Sequence, residues 1–247
     1  GLLGDDHLYG DNAVRVDLSM RWDLLVASQA EILSVVTSQD SSAADFFAQT
    51  GDALASSADD RIEDTGGDNI IVSDFGLIDQ VAGTVRAYDT GAVTQVSSIR
   101  DDEGGGDTII TSASTSGRNW VLAGVGDDTI DLGDGGGVVI ADHGQFTIHN
   151  AEHPLVAQSA TVDKSLGGKD TITARDGSLW IIGGADIDNV DIDDGNHVIL
   201  GDSGIITADV SQNLLDVQSS DLSVGASETI TVGDTLSGGS HFIIGGF

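Results

Sequence analysis

Residues 115–148 read TSGRNWVLA GVGDDTIDL GDGGGVVIA DHGQFTI, three blocks of nine residues and a shortened fourth. Each block joins a turn rich in Gly and Asp to a short apolar run, which is how a buried strand bounded by turns is written. Residues 175–208 repeat the pattern at an offset of 60, as RDGSLWIIG GADIDNVDI DDGNHVILG DSGIITA, so that Trp120 matches Trp180 and Asp142 matches Asp202. An earlier copy, SSADDRIED TGGDNIIVS DFGLIDQ, runs from Ser56 to Gln80, and a last one begins VGASETITV and reaches SGGSHFIIG. The opening LLGDDHLYG and DNAVRVD read as the tail of a further unit. Asp11, Asp74, Asp142 and Asp202 are then equivalent, spaced by 63, 68 and 60 residues.

A repeat at this period makes each unit dependent on its neighbours for burial. One block supplies a turn and a strand, and two blocks supply a coil of about 18 residues, with successive coils about 4.8 Å apart. The expected fold is all-β, a parallel β-solenoid of β-roll type with about four tandem units of 60–68 residues. The array divides into residues 1–55 (the end of a cut unit and a long insertion), 56–102, 103–165 and 166–223 (units each closed by a hairpin), and 224–247 (the start of another). The hairpins are read from insertions such as FTIHNAEHPLVAQSAT, GTVRAYDTGAVTQVSS and ITADVSQNLLDVQSSD, where two β-prone stretches flank a polar turn. In the long insertion, Trp22, Leu25, Val26, Ile32, Leu33 and Val36 fit one helix face or a strand equally well.

Composition narrows the function. The 41 acidic residues comprise 36 Asp and five Glu, against nine basic residues, for a net charge of −32. Such a surface excludes nucleic-acid binding, which needs Lys and Arg against phosphate. There is no Cys, hence no disulfide or thiolate metal site, and no apolar run of membrane-spanning length, so membrane insertion is not expected. The start at Gly1, without Met or leader, reads as a fragment or processed product.

The 18-residue register also stacks acids. The turns GGGDT (104–108), GVGDD and DHG fall on one side of one unit, and GGKDT (167–171), GADID and DSG on the same side of the next. Asp60, Asp107, Asp128, Asp170, Asp188, Glu228 and, at the start, Asp6 then share one position. Carboxylates at strand spacing repel by roughly 3–4 kcal/mol per adjacent pair at an effective dielectric near 20. A cation between turns removes that cost, and Ca²⁺ accepts the carboxylate and carbonyl oxygens that such turns present. The candidate ligands are Asp5, Asp6, Asp59, Asp60, Asp107, Asp127, Asp128, Asp170, Asp186 and Asp188. Asp11, Asp74, Asp142 and Asp202 join them, with capping of the hairpin turn as their alternative role.

GVGDDTI (Gly124 to Ile130) resembles the G-x-G-x-D-x-U nonapeptide of the repeats-in-toxin, hemolysin-type family, with LLGDDHL and SADDRI as close variants and GADIDNV, GDGGGVV, DDGNHVI and TGGDNII as degenerate ones. The resemblance implies a β-roll with Ca²⁺ in its turns and export from the cell. The longer cadence of GDxG, hairpin, GGxDTI, IIGG and GNxVxLGD is similar to that of the tandem units of very large bacterial surface and adhesin-like proteins. An enzyme needs one distinctive constellation, whereas every carboxylate cluster here recurs, so no catalytic residue is expected. The six His are expected at the surface, and Trp120, Trp180 and Phe242 are expected to form an aromatic stack.

The function expected is therefore a Ca²⁺-stabilised structural segment of a secreted surface, adhesin or filament protein. Joining FIIGGF to GLLGDDHLYGD rebuilds most of a unit, which makes copies of the chain, covalent or stacked head to tail, the expected partner. One alternative is a module that binds ice, a glycan or a mineral surface through Thr108, Thr111, Thr129, Thr171 and Thr173, with a glycan or another cell surface as its partner. The other is the calcium-binding secretion module of an exported enzyme.

Overall fold

The computed structural model describes residues 6–9, 13–17, 59–81, 92–98, 104–111, 117–149, 153–159, 167–220, 226–233 and 239–246. Asp5, Asp11 and the long insertion with its helix-or-strand segment lie outside them.

The described chain is built of strands, with no α-helix among the described residues. In chain order they are β1 (Asp6–Tyr9), β2 (Ala13–Asp17), β3 (Arg61–Asp64), β4 (Asn69–Val72), β5 (Gly76–Gln80), β6 (Val93–Ser98), β7 (Thr108–Thr111), β8 (Gly117–Leu122), β9 (Thr129–Asp131) and β10 (Gly135–Ile140). They continue as β11 (Gly144–His149), β12 (His153–Ser159), β13 (Thr171–Asp176), β14 (Leu179–Gly184), β15 (Asn189–Asp194), β16 (Val198–Asp202), β17 (Gly204–Ala208), β18 (Leu214–Ser219), β19 (Thr229–Val232) and β20 (Phe242–Ile244).

These strands make three sheets. A central one has the order β1-β4-β8-β10-β14-β16-β20 and an outer one the order β3-β7-β9-β13-β15-β19, and every pairing in both is parallel. The third, β2-β5-β6-β11-β12-β17-β18, is made by the hairpins and is antiparallel except where β2 meets β5. The chain steps from an outer strand to a central strand and back, advancing one strand each time, which is compatible with a β-helix or β-roll. The register agrees with an 18-residue coil where no hairpin intervenes: Trp120 pairs Val138, and Trp180 pairs Val198.

Burial divides cleanly by layer. In the outer sheet only alternate residues are buried, as in the exposed-buried-exposed pattern of Thr129–Asp131. Their inward members Ile62, Ile109, Ile130, Ile172 and Val190 meet Ile71, Val121, Val139, Ile181 and Ile199 of the central sheet. The opposite face of the central sheet, with Ile70, Trp120, Val138, Ile182 and Leu200, meets Ile78, Val96, Phe146, Ala157 and Ile206 of the hairpins. Strands β4, β8, β10, β14 and β16 are therefore covered on both sides, which is why they read as unbroken apolar runs rather than alternating ones. Central and hairpin sheets have seven strands each.

Two expectations are corrected. Trp120, Trp180 and Phe242 do share a column, but Val138 and Val198 stand between them, so no aromatic stack forms. Trp120 is instead fully buried against Phe146, with ring centroids 6.1 Å apart. Trp120→Ala should cost about 3–5 kcal/mol, read from denaturant unfolding. A loss below about 1 kcal/mol would mean that the hairpin layer does not seal this face. Secondly, His143 and His197 are buried rather than exposed, and His197 stacks on His241 at 5.2 Å.

Candidate functional site: a seam of stacked carboxylates

The acids of the fifth block position lie immediately before the outer strands. Because Thr108, Thr129, Thr171, Asn189 and Thr229 are successive register partners, Asp107, Asp128, Asp170, Asp188 and Glu228 fall in one column, with Asp60 before Arg61 at its start. Each carboxylate reaches back one level. Asp107 Oδ1 accepts the amide of Asp60 at 2.7 Å, Asp128 that of Asp107 at 2.7 Å, Asp170 that of Asp128 at 2.8 Å and Asp188 that of Asp170 at 3.0 Å. Asp107, Asp128, Asp170 and Asp188 are each only 1% exposed.

The preceding acids clasp in the other direction. Asp59 Oδ1 accepts the amide of Gly106 at 3.2 Å and Asp127 Oδ1 that of Lys169 at 2.9 Å, both from exposed positions. Asp127 and Asp128 are thus neighbours with opposite surroundings, one in solvent and one in the interior. Asp186, exposed and at φ 72°, occupies the corresponding turn before Asp188.

A second column is formed by the hairpin-launching acids, whose partners are turns of later levels. Asp74 accepts the amides of Gly105 at 3.2 Å and Val125 at 2.6 Å. Asp142 accepts those of Gly168 at 3.2 Å and of Ala185, and Asp202 that of Ala226 at 3.2 Å. These bonds do not cap the hairpin-launching turn itself; they tie one unit to the turns of the next. Asp142 fits between Gly167 and Gly184 only because neither has a side chain; a methyl group on either would overlap its carboxylate.

Backbone amides leave the electrostatic problem unsolved. Burial, with the Asp170 and Asp107 carboxylates beside it, pushes Asp128 up to about 10. Burial and their acidic neighbours push Asp142, Asp170 and Asp188 up to about 8. The second oxygens of Asp128, Asp170 and Asp188 are buried without a hydrogen-bond donor. A buried acceptor in that condition demands a proton or a cation.

These orphaned oxygens are the hard donors that Ca²⁺ takes, and the fit has a limit. Among the described residues no three carboxylate or imidazole side chains are grouped closely enough to hold a metal ion. A Ca²⁺ ion here would draw on the acids of successive levels and on turn carbonyls, not on a ready cage.

Asp6 does not belong to the column. It pairs with Asn69 in the central sheet, one strand away from its expected place. The offset of 63 that equates Asp11 with Asp74 does hold across β1–β4 and β2–β5. The sequence reading missed a polar chain at the opposite turns. Asn69 Nδ2 donates to Asp64 Oδ2 at 2.9 Å and to Asn119 Oδ1 at 3.0 Å, and Asn119 Nδ2 donates to Thr111 Oγ1 at 3.2 Å. Thr111 is accordingly buried and lies off the outer face. Thr108, Thr129 and Thr171 are direct neighbours there, while Thr173 stands between Asp131 and Asp191.

Comparison with protein-family models, with curated proteins and with solved structures finds no match to this chain.

Proposed function

We propose that this chain is a Ca²⁺-stabilised structural repeat segment of a secreted bacterial surface, adhesin or extracellular filament protein. In this reading it is a parallel β-solenoid with a third layer of hairpins, and its copies continue head to tail. The observation that carries the reading is the column of buried carboxylates at strand spacing, each with one oxygen committed to an amide. The second oxygens of Asp128, Asp170 and Asp188 need a charge partner. Repetition of the same device at every level supports a structural role over a catalytic one.

Cation binding to the folded state alone raises its stability by mass action. At about pH 8, millimolar Ca²⁺ should therefore raise the melting midpoint of metal-stripped protein by about 10 °C or more, as read by far-UV circular dichroism, with Mg²⁺ far less effective because it demands a tighter octahedral shell. A midpoint that does not move between chelator and Ca²⁺ would remove calcium from the proposal. Stacking of separate molecules, as opposed to covalent continuation in one polypeptide, would make chains lengthen with concentration. A stable monomer at high protein and millimolar Ca²⁺ would exclude stacking between separate molecules.

A further inference from the structure

The outward face of the hairpin sheet is unlike the rest of the molecule. Its register lines up two rows across six strands: Leu77, Ser97, Gln145, Gln158, Ile205 and Gln218, and beside them Asp79, Gln95, Thr147, Val156, Thr207 and Asp216. The alternate residues Ile78, Val96, Phe146, Ala157, Ile206 and Val217 point into the core. In a chain of net charge −32 the first row contains no charged side chain, and the second has one only at each outer end, of which Asp79 is buried. The outer sheet, by contrast, carries Arg61, Glu63, Asp131, Asp191 and Arg175 among its exposed residues.

We propose that this face is a self-association surface on which two copies of the chain meet sheet to sheet about a two-fold axis, independently of any cation in the acidic seam. Charge decides the location. Two molecules at −32 repel over most of their surfaces, and on this face acids stand only at the two ends of one row, so copies can approach with few like charges between them. Chemistry decides the occupant. An amide is donor and acceptor at once, so Gln145, Gln158 and Gln218, three of the six residues in the first row, can pair with their own copies, which a two-fold interface requires. Within the sheet Gln95 Nε2 already donates to Gln145 Oε1 at 3.1 Å, so these two amides are held in place. Neither row offers an aromatic ring on which a sugar would stack. Strand spacing and rise give the two rows an area of about 390 Å² per copy. The pair would bury about 780 Å², the size of a weak and reversible contact, which becomes strong when several units are joined and bind together.

Sedimentation velocity on the 247-residue chain tests this, from about 10 to 500 μM protein in about 0.15 and 0.5 M NaCl, where charge repulsion is progressively screened. The expected result is a monomer–dimer equilibrium that strengthens with salt and does not change with chelator. Gln145→Glu or Gln145→Lys should each weaken it at least about tenfold with an unaltered circular dichroism spectrum, and mixing the two variants should restore a heterodimer. Gln158→Glu provides the same test one strand away should the first pair fold poorly. A wild-type monomer at the highest concentration and salt overturns the proposal, as does a dimer indifferent to the Gln145 substitutions. Open-ended growth in place of a dimer assigns association to the sheet ends instead. Retention of monomeric wild-type chain on a neutral polysaccharide, lost in Gln145→Lys, assigns the face to a glycan.

Discussion

Metal-stripped protein should be folded near pH 5 and lose its β-structure as the pH rises toward about 9, and Ca²⁺ should abolish that loss. Asp142, Asp170 and Asp188 titrate at about 8 and Asp128 at about 10, where burial and neighbouring carboxylates hold them above 3.8. In the unfolded chain they return to near 3.8, so between those values the folded state keeps protons that the unfolded state has released. Stability then falls with rising pH: the contribution is complete below about 4, declines steadily above that and is gone by about 8 to 10. Raising one carboxyl from 3.8 to about 8 corresponds to roughly 5–6 kcal/mol, comparable with the whole stability of many domains. Asp128→Asn keeps an oxygen for the Asp107 amide and removes the charge, and it should flatten the profile while weakening the Ca²⁺ response. Thermal melts across pH provide the check, and a midpoint constant from about pH 5 to 9 without metal would show that the column is neutralised by some other means.

The second large effect is expected at a position with no chemistry at all. Gly177 sits at φ +136°, and a methyl group on it would overlap the carbonyl oxygen of Gly135 on the adjoining level. Gly195 repeats the contact onto Gly177, and Gly239 onto Gly195, so the turns between outer and central strands stack backbone on backbone. Gly177→Ala imposes both a conformation that side chains rarely adopt and a collision with main chain that cannot swing aside. It should cost about 3 kcal/mol or more. Gly245, which has nothing within 4 Å, is the control, and Gly245→Ala should be nearly silent. Equal effects at the two positions, measured by chemical denaturation, would contradict the stacking.

The acid column was legible because a register is arithmetic: once Ile109, Ile130, Ile172 and Val190 are recognised as inward residues, the acid two positions earlier has one place to go. The misplacement of Asp6 has the same origin. LLGDDHL satisfies the nonapeptide pattern and also the cadence of the central strands, and only pairing with Asn69 separates them. Asn69 and Asn119 hold the same block position and carried a readable signal for their ladder, but a lone Asn beside Gly reads first as turn chemistry. Burial of His197 follows from its column, since it stands beside Leu179 and two residues before Ile199 and so faces the outer sheet. The side on which the hairpins lie was not legible, because they are inferred from β-propensity alone. A clue to that side was present in the central strands themselves: IIV, WVL, VVI and VIL leave no polar residue to face water.

The equal strand counts of the central and hairpin sheets carry a consequence for how such a chain can grow. A complete hairpin roofs two central strands, its own and that of the following coil, and the coils β9–β10 and β15–β16 follow their predecessors without an intervening hairpin. Among the described residues near the start, β2 pairs β5 directly, and there the next central strand brings a roof of its own. Duplicating a single coil of about 18 residues would therefore leave one apolar strand open to water, whereas duplicating two coils with one hairpin leaves none. The smallest length that recombination can insert or excise without a hydration penalty is then the 60-residue offset separating Trp120 from Trp180, and the genetic period of the array is fixed by its roofing.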